Sequence, residues 1–161
     1  MPGMLKRLHG FTLIELMVTL VLLALVLSSA APVMQISAKR AKEQELRRDL
    51  WQIRDAIDAY KKAADDGLIK KNPGETGYPP NLQILVQGVE NRRDPQKRKI
   101  YFLRRIPRDP FATDPDLSAE ATWGKRSYAS SFDEPREGDD VYDVYSLSTE
   151  TGLNQQPYGE W

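Results

Sequence analysis

The distribution of hydrophobic positions divides the chain into an apolar front and a charge-rich remainder. Residues 16–38 form a run of 23 without any charge, and most of them are Leu, Val, Met or Ala. About 20 such residues cross the ~30 Å hydrocarbon core of a bilayer as an α-helix. The run therefore predicts a membrane span, because a buried core helix of this length would normally be interrupted by polar residues. A cleaved secretory signal is the other alternative, although the run exceeds the usual apolar region of about 7–15 residues.

Beyond this run, apolar residues recur at alternating steps of four and three, the spacing of one face of an α-helix. Gly67 predicts the end of this helix, because glycine readily adopts the left-handed conformation that commonly follows one. We expect the face to pack on a head domain, since it is too short for a free-standing coiled coil. Pro32 removes one backbone hydrogen bond and predicts a weak point in the helix. The apolar face consists of Leu46, Leu50, Ile53, Ile57, Tyr60 and Ala64.

The last part of the chain reads as a small α+β head. Asn81 is expected to cap a short helix over residues 82–87 that Gly88 ends. Residues 127–132 and 141–147 alternate apolar or aromatic side chains with polar ones, which predicts two strands. An antiparallel sheet of about three strands packed on the amphipathic helix is the architecture that we expect. The predicted fold class is therefore α+β, with a long N-terminal helix against a small antiparallel sheet.

The amino-acid composition limits the kinds of active site and metal site that the chain can form. The chain has 23 Lys and Arg against 23 Asp and Glu, no Cys and one His. These numbers exclude a disulfide framework, thiolate metal sites and a Cys nucleophile, and they argue against a His-based active site. Residues 91–99 are basic but lack interleaved aromatics, so we expect a solvated loop and no nucleic-acid partner. The acidic residues between 133 and 143 surround Pro and Gly, which favours a hydrated loop over a catalytic pair, and we expect no enzyme.

Glu15 stands at the front of the apolar run, where a carboxylate is costly and usually functional. A headgroup position would be an ordinary explanation for a lone acid, but the context is specific. Lys6 and Arg7 form a short basic leader, Gly10 follows, and the sequence continues as FTLIELMV. This combination resembles the class III signal of type IV pilins and type II secretion pseudopilins.

The resemblance implies cleavage by a prepilin peptidase between Gly10 and Phe11, followed by N-methylation of Phe11. Glu15 would then pair with the Phe11 ammonium of a neighbouring subunit inside a filament. Lys39, Arg40 and Lys42 follow the span, so a simple charge rule would place the head in the cytoplasm. The resemblance implies the opposite orientation, with the leader in the cytoplasm and the head in the periplasm.

Together with the hydrophobic pattern, this resemblance divides the chain into four segments. Residues 1–10 are the leader, 11–38 the transmembrane and polymerisation helix, 39–66 the amphipathic helix, and 67–161 the periplasmic head. The implied partners are further copies of the chain, prepilin peptidase, other pseudopilins, and an inner-membrane assembly platform with its cytoplasmic ATPase. Pilin helices often carry a proline near the position of Pro32, where the helix can stretch in filaments.

The head resembles that of the major pseudopilin of type II secretion in residues 77–82, 106–111 and 142–146, and the lack of Cys separates it from many true pilins. This resemblance implies a Ca²⁺ loop after the last strand. Residues 148–161 contain no Asp, however, and Ca²⁺ needs six to eight oxygen ligands with several carboxylates. We therefore expect no cofactor and retain Glu150, with Asn154, as the candidate ligand. Alternatively, Tyr158 and Trp161 close the loop by packing on the head.

The predicted function is a structural subunit of a type II secretion pseudopilus in the inner membrane, which becomes a periplasmic filament for protein export. A type IV pilus or DNA-uptake subunit is the nearest alternative. A membrane-anchored periplasmic binding or enzymatic domain is the alternative from another class. A mature chain that begins at N-methyl-Phe11 would favour a filament subunit over a tethered domain.

Overall fold

The computed structural model of the protein describes residue 10 and residues 12–161. The side chains of residues 27–33 are not part of this description. The predicted leader therefore lies almost entirely outside the described residues, and so does Phe11. The chain divides into two compact units, Met1–Lys39 and Arg40–Trp161.

One helix dominates both units. Helix α1 comprises Leu13–Asp65, and its backbone is helical at position 32. It ends as predicted: Gly67 has a φ of 68°, and the Leu68 amide donates to the Ala63 carbonyl at 2.9 Å. This bond is typical of a helix that terminates in a left-handed residue. No helix formed by the described residues combines the length and apolarity that crossing a membrane requires.

The head contains one short helix and two small sheets. Helix α2 is Gln83–Gln87 and begins one residue later than predicted, which makes Leu82 its flanking residue. The Asn81 side-chain oxygen still accepts a hydrogen bond from the Ile84 amide at 3.0 Å. Strand β1, Val89–Glu90, pairs antiparallel with β2, Lys99–Ile100. Strand β3, Trp123–Arg126, pairs antiparallel with β4, Asp143–Ser146. Two 3₁₀ turns, Glu120–Thr122 and Tyr158–Glu160, complete the secondary structure of the described residues.

The head core forms against the amphipathic part of α1. Every residue of the predicted apolar face is buried, from Leu46 to Ala64. The face packs with Leu82 and Leu85 from the α2 region and with Trp123 and Val144 from the β3–β4 sheet. The predicted class, α+β with a long helix on a small antiparallel sheet, is confirmed.

One predicted strand is wrong. Residues 127–132 form turns, and the strand that pairs with β4 is the preceding segment, Trp123–Arg126. The Ser127 hydroxyl donates to Asp140 at 2.8 Å, and the Ser130 amide donates to the Ser127 carbonyl at 3.1 Å. Serine side chains that bond locally compete with strand pairing, which the alternating pattern cannot reveal. The described residues accordingly form two two-stranded sheets, where the pattern indicated about three strands in one sheet.

Candidate functional site

The front of α1 exposes an unusual amount of apolar surface. Between positions 13 and 26, hydrophobic side chains on every face of the helix are more than half exposed. A helix that is apolar all round is normally buried in a large core or in lipid. The side chains of residues 13–26 do not bury one another. Something other than this segment must therefore shield the surface from water. Its large members are Leu13, Ile14, Leu16, Met17, Val18, Leu20, Val21, Leu22, Leu23, Leu25 and Val26.

Polar groups inside this apolar segment are satisfied locally. The Thr19 hydroxyl donates to the Leu16 carbonyl at 2.8 Å, one turn back along α1. A hydroxyl that bonds to its own helix carries no unpaired donor into an apolar environment. Thr19 is therefore compatible with an apolar surrounding in a way that an unpaired hydroxyl is not.

Glu15 lies in the first turn of α1 and forms a reciprocal pair with Thr12. The Glu15 amide donates to the Thr12 hydroxyl at 3.2 Å, and the Thr12 amide donates to Glu15 Oε2 at 3.4 Å. This is a capping box, in which two helix-terminal amides that lack backbone partners are satisfied by side chains. A carboxylate at a helix N-terminus also interacts favourably with the helix dipole. Glu15 therefore caps its own helix, a role that the sequence signal Thr-x-x-Glu contains but that our sequence analysis missed.

The other predicted residues of this region are only partly visible. Gly10 is exposed, and a Cβ built on it would meet no atom within 4 Å. Phe11 lies outside the described residues. Pro32 belongs to α1, but its side chain is not described. Cleavage after Gly10, methylation of Phe11, its pairing with Glu15 and the weak point at Pro32 remain predictions.

The C-terminal loop, residues 148–161, is the second predicted site. A bridge between Thr151 and Pro157 closes it, and inside this bridge the Gly152 amide donates to the Gln156 carbonyl at 2.9 Å. The Tyr158 amide donates to the Glu150 carbonyl at 3.2 Å. Within the described part of the chain, no three Asp, Glu, His or Cys side chains come together as metal ligands. The loop carries two exposed carboxylates, Glu150 and Glu160, and the expectation that no cofactor binds here stays a prediction.

Three charged residues of α1 contact this loop, Glu43, Arg47 and Arg54, and sequence analysis identified none of these contacts. Glu43 is buried, and its Oε1 accepts hydrogen bonds from the Leu153 amide at 2.7 Å and the Tyr158 hydroxyl at 3.0 Å. Burial and the neighbouring Glu43 carboxylate raise the pKa of Tyr158, which keeps its hydroxyl protonated as a donor. Arg54 donates to the Trp161 carbonyl at 2.8 Å. A signal for Glu43 existed, since it precedes Leu46 by three positions and so continues the apolar face.

Tyr158 and Trp161 do pack on the head, as the alternative reading of the loop predicted. Tyr158 is fully buried, and its ring stacks on Phe111 with centroids 4.1 Å apart. Trp161 meets Tyr158 edge-on at 5.0 Å, and the Arg47 guanidinium lies 4.3 Å from the Trp161 ring centroid. Aromatic and cation–π contacts of this kind add to the apolar area that the rings bury.

The acidic residues between 133 and 143 divide between structural contacts and exposed positions. Asp143 binds Arg54 at 2.7 Å and Arg126 at 3.2 Å, and Asp140 accepts hydrogen bonds from Thr76, Ser127 and the Tyr128 amide. The inward-facing acids are thus engaged with cations or hydrogen-bond donors of the head.

Comparison with known proteins finds one matching family and several relatives of similar sequence. Residues 5–31 match the family described as "Prokaryotic N-terminal methylation motif". The type II secretion system core protein G of Klebsiella pneumoniae is 30% identical over 123 residues, covering 74% of this chain and 81% of the relative. That of Pectobacterium carotovorum subsp. carotovorum is 30% identical over 120 residues, covering 74% of this chain and 72% of the relative. No solved structure matches the chain significantly.

A methylation motif, an exposed apolar helix and a small α+β head on the same helix define the pilin-like class of filament proteins. The resemblance seen in the sequence is therefore confirmed. Within this class, the chain belongs to the type II secretion system core protein G family, the major pseudopilins. Its function is that of a pseudopilin subunit of a type II secretion system, and the family is a structural one.

Proposed function

We propose that the chain is anchored in the bacterial inner membrane by the apolar part of α1, with the head in the periplasm, and polymerises into a periplasmic filament. The observation that carries this proposal is the apolar surface of residues 13–26, which has a carboxylate, Glu15, at its first turn. Lipid covers such a surface in the single subunit, and the same surface of other copies covers it in a filament. Assembly thus exchanges one apolar surrounding for another.

Processing precedes assembly in this proposal. Prepilin peptidase removes the leader after Gly10, and methylation leaves the new Phe11 amine positively charged. The Phe11 ammonium of one subunit and the Glu15 carboxylate of the next then form a charge-assisted hydrogen bond, so that neither ion is left unpaired in the apolar filament core. Other pseudopilins, an inner-membrane platform and its cytoplasmic ATPase supply the assembly machinery.

Pro32 contributes flexibility to α1 in this scheme. Proline has no amide hydrogen, so the helix lacks one of its backbone bonds at this position and is easier to extend there than elsewhere. A helix that lengthens locally can adjust the distance between filament core and head without disturbing either. The sequence position of Pro32, six residues before the end of the uncharged run, supports this role.

The experiment separates the two roles of Glu15. Glu15→Leu removes both the cap and the intermolecular ion pair, whereas Thr12→Val removes the hydroxyl of the cap and keeps the carboxylate. We expect both variants to enter the membrane and to be methylated at Phe11, as mass spectrometry reports. Electron microscopy should show filaments for Thr12→Val and none for Glu15→Leu.

Two outcomes contradict the proposal. Normal filaments from Glu15→Leu would exclude the pairing, and an intact leader in cells that contain prepilin peptidase would exclude processing. Glu45→Ala, which removes an exposed acid of the same helix, is the matched control and should assemble like the wild type.

A further inference from the structure

Oxygen atoms of the C-terminal loop already accept hydrogen bonds from other groups of the same loop. The carbonyls of Glu150, Gly152 and Gln156 accept backbone hydrogen bonds within the loop, and the Asn154 side-chain oxygen accepts one from the Gln156 amide at 3.1 Å. Ca²⁺ requires six to eight oxygens, several of them charged, for useful affinity. The loop offers two exposed acids, Glu150 near its start and Glu160 near its end, and its turn is already closed by protein groups.

Glu43 provides the hydrogen-bond acceptor at the inner side of the loop. Its carboxylate is almost fully buried and joins two loop positions through one oxygen, the Leu153 amide and the Tyr158 hydroxyl. A buried carboxylate that accepts strong hydrogen bonds holds its donors firmly, because leaving either side unpaired costs the desolvation of that group. The contact spans 110 residues from Glu43 to Leu153, so it ties the loop to a distant part of the chain.

Arg54 fixes the end of the same segment. Its guanidinium donates to Asp143 at 2.7 Å, to the Val144 carbonyl at 3.0 Å and to the Trp161 carbonyl at 2.8 Å. One side chain therefore joins strand β4 to residue 161. The planar, multiply donating guanidinium suits this task better than an ammonium would.

We propose that the Glu43 carboxylate and the Arg54 guanidinium lock the C-terminal loop against α1, so that the loop closes without a divalent cation. Glu43 binds the middle of the loop and Arg54 binds its end, and the aromatic rings of Tyr158 and Trp161 fill the space between. The head of this family member is thereby fastened by side chains that the chain itself carries. This inference concerns the head alone and does not rest on filament assembly, so either proposal can fail without the other.

The test uses the full-length protein in detergent micelles and measures how fast a Glu-specific protease cuts the bond after Glu150 and so releases the segment beyond it. Mass spectrometry of the fragments distinguishes this cut from cuts at the other glutamates. Cleavage requires local opening of the loop, so its rate reports the closed fraction. With the wild type, we expect rates in EDTA and in excess CaCl₂ to agree within about twofold, since a bound cation would slow opening by mass action. Faster release in EDTA than in CaCl₂ would overturn the proposal.

Variants of Glu43 distinguish a hydrogen-bond acceptor from a metal ligand. Glu43→Ala removes the acceptor and should speed release at least about tenfold in either solution. Glu43→Gln retains one carbonyl oxygen, which can accept both bonds, and should stay within about threefold of the wild type. A Glu43→Gln variant that opens as fast as Glu43→Ala would show that the charge itself is required and would overturn the acceptor role.

Two further variants guard against misfolding. Glu45→Ala, two positions away on the exposed side of α1, is the matched control and should leave the rate unchanged. Tyr158→Phe keeps the ring and removes only its hydroxyl, so it should increase release by a smaller factor than Glu43→Ala and without response to CaCl₂. An unchanged rate in Tyr158→Phe together with Glu43→Ala would contradict the lock.

Discussion

Asp140 shows how one side chain can decide the conformation of a distant segment. It is buried and accepts hydrogen bonds from the Thr76 hydroxyl, from the Ser127 hydroxyl at 2.8 Å and from the Tyr128 amide at 2.9 Å. Burial by itself raises the pKa of Asp140, but the hydrogen bonds from Thr76, Tyr128 and Ser127 outweigh it, and the pKa lies below the ordinary 3.8. The residue therefore holds residues 127 and 128 in a turn and prefers to be ionised there.

The lowered pKa of Asp140 determines how the free energy of unfolding depends on pH. Because the folded state binds the proton of Asp140 more weakly than the unfolded state, the carboxylate stabilises the fold above the ordinary pKa. That contribution is lost as the pH falls through the lowered pKa. We expect Asp140→Asn to reduce the free energy of unfolding by about 1–3 kcal/mol at pH 7 and to flatten its decline below about pH 4.

Urea denaturation of the full chain in micelles across this pH range measures both effects. Asp139→Asn is the matched control, because Asp139 is exposed and adjacent in sequence. Its free energy of unfolding should stay within about 0.5 kcal/mol of the wild type. Equal losses in the two variants would show that general charge, and not the Asp140 hydrogen bonds, sets the acid dependence.

At the scale of secondary-structure elements, the main feature is that side-chain exposure differs between the two parts of helix α1. Its first part exposes apolar side chains on all faces, whereas the part within the head buries one face. Intrinsic helix propensity does not require this division, since apolar burial against the head supplies most of the stability of an amphipathic helix. The two parts of α1 thus belong to one secondary-structure element but serve separate purposes.

Adjacent residues of α1 provide a direct test of this packing. Leu50 is 1% exposed and Trp51 is 66% exposed. We expect Leu50→Ala to lower the free energy of unfolding by about 2–5 kcal/mol, because it leaves a cavity in the head core. Trp51→Ala should change it by no more than about 0.5 kcal/mol, despite the larger side chain. Chemical denaturation measures both, and comparable losses would contradict the assigned helix face.

At the scale of the whole molecule, the two units separate the tasks of the protein. The unit Arg40–Trp161 contains the buried core, both sheets and the side chains that hold the C-terminal loop. The unit Met1–Lys39 contains the methylation motif and the exposed apolar surface. The buried core therefore lies in the head, and the features on which the proposed assembly rests lie in the other unit.

A truncated chain tests this separation. A protein that begins at Arg40 retains the whole head core, so we expect it to unfold cooperatively and to remain monomeric without detergent. Its Tm should lie within about 5 °C of the full chain in micelles, since every residue of the buried core is retained. Calorimetry and size-exclusion chromatography measure these properties. A truncated protein without a cooperative transition would show that the head depends on residues 1–39.

The structural features that were predicted correctly from the sequence are those set by local patterns of residues. The face from Leu46 to Ala64 follows from the geometry of a helix, and Gly67 follows from the conformation that ends one. The turn at residues 127–132 was missed because its cause, Asp140, acts through side-chain hydrogen bonds. The bond between Glu43 and Tyr158 joins positions 115 residues apart, and no local pattern encodes such a pair. Thr12 and Glu15 were within reach, since their spacing is that of a capping box.

That capping box has a consequence for filament growth. A lone subunit has already given its acid a partner inside its own chain, so recruitment to a neighbour must compete with an intramolecular arrangement. Intramolecular bonds re-form without any loss of translational freedom, whereas a bond between subunits carries that entropic cost. In the proposed assembly, pairing through Glu15 therefore requires a minimum density of subunits in the membrane. Below this density the subunits stay self-contained, and above it the filament elongates.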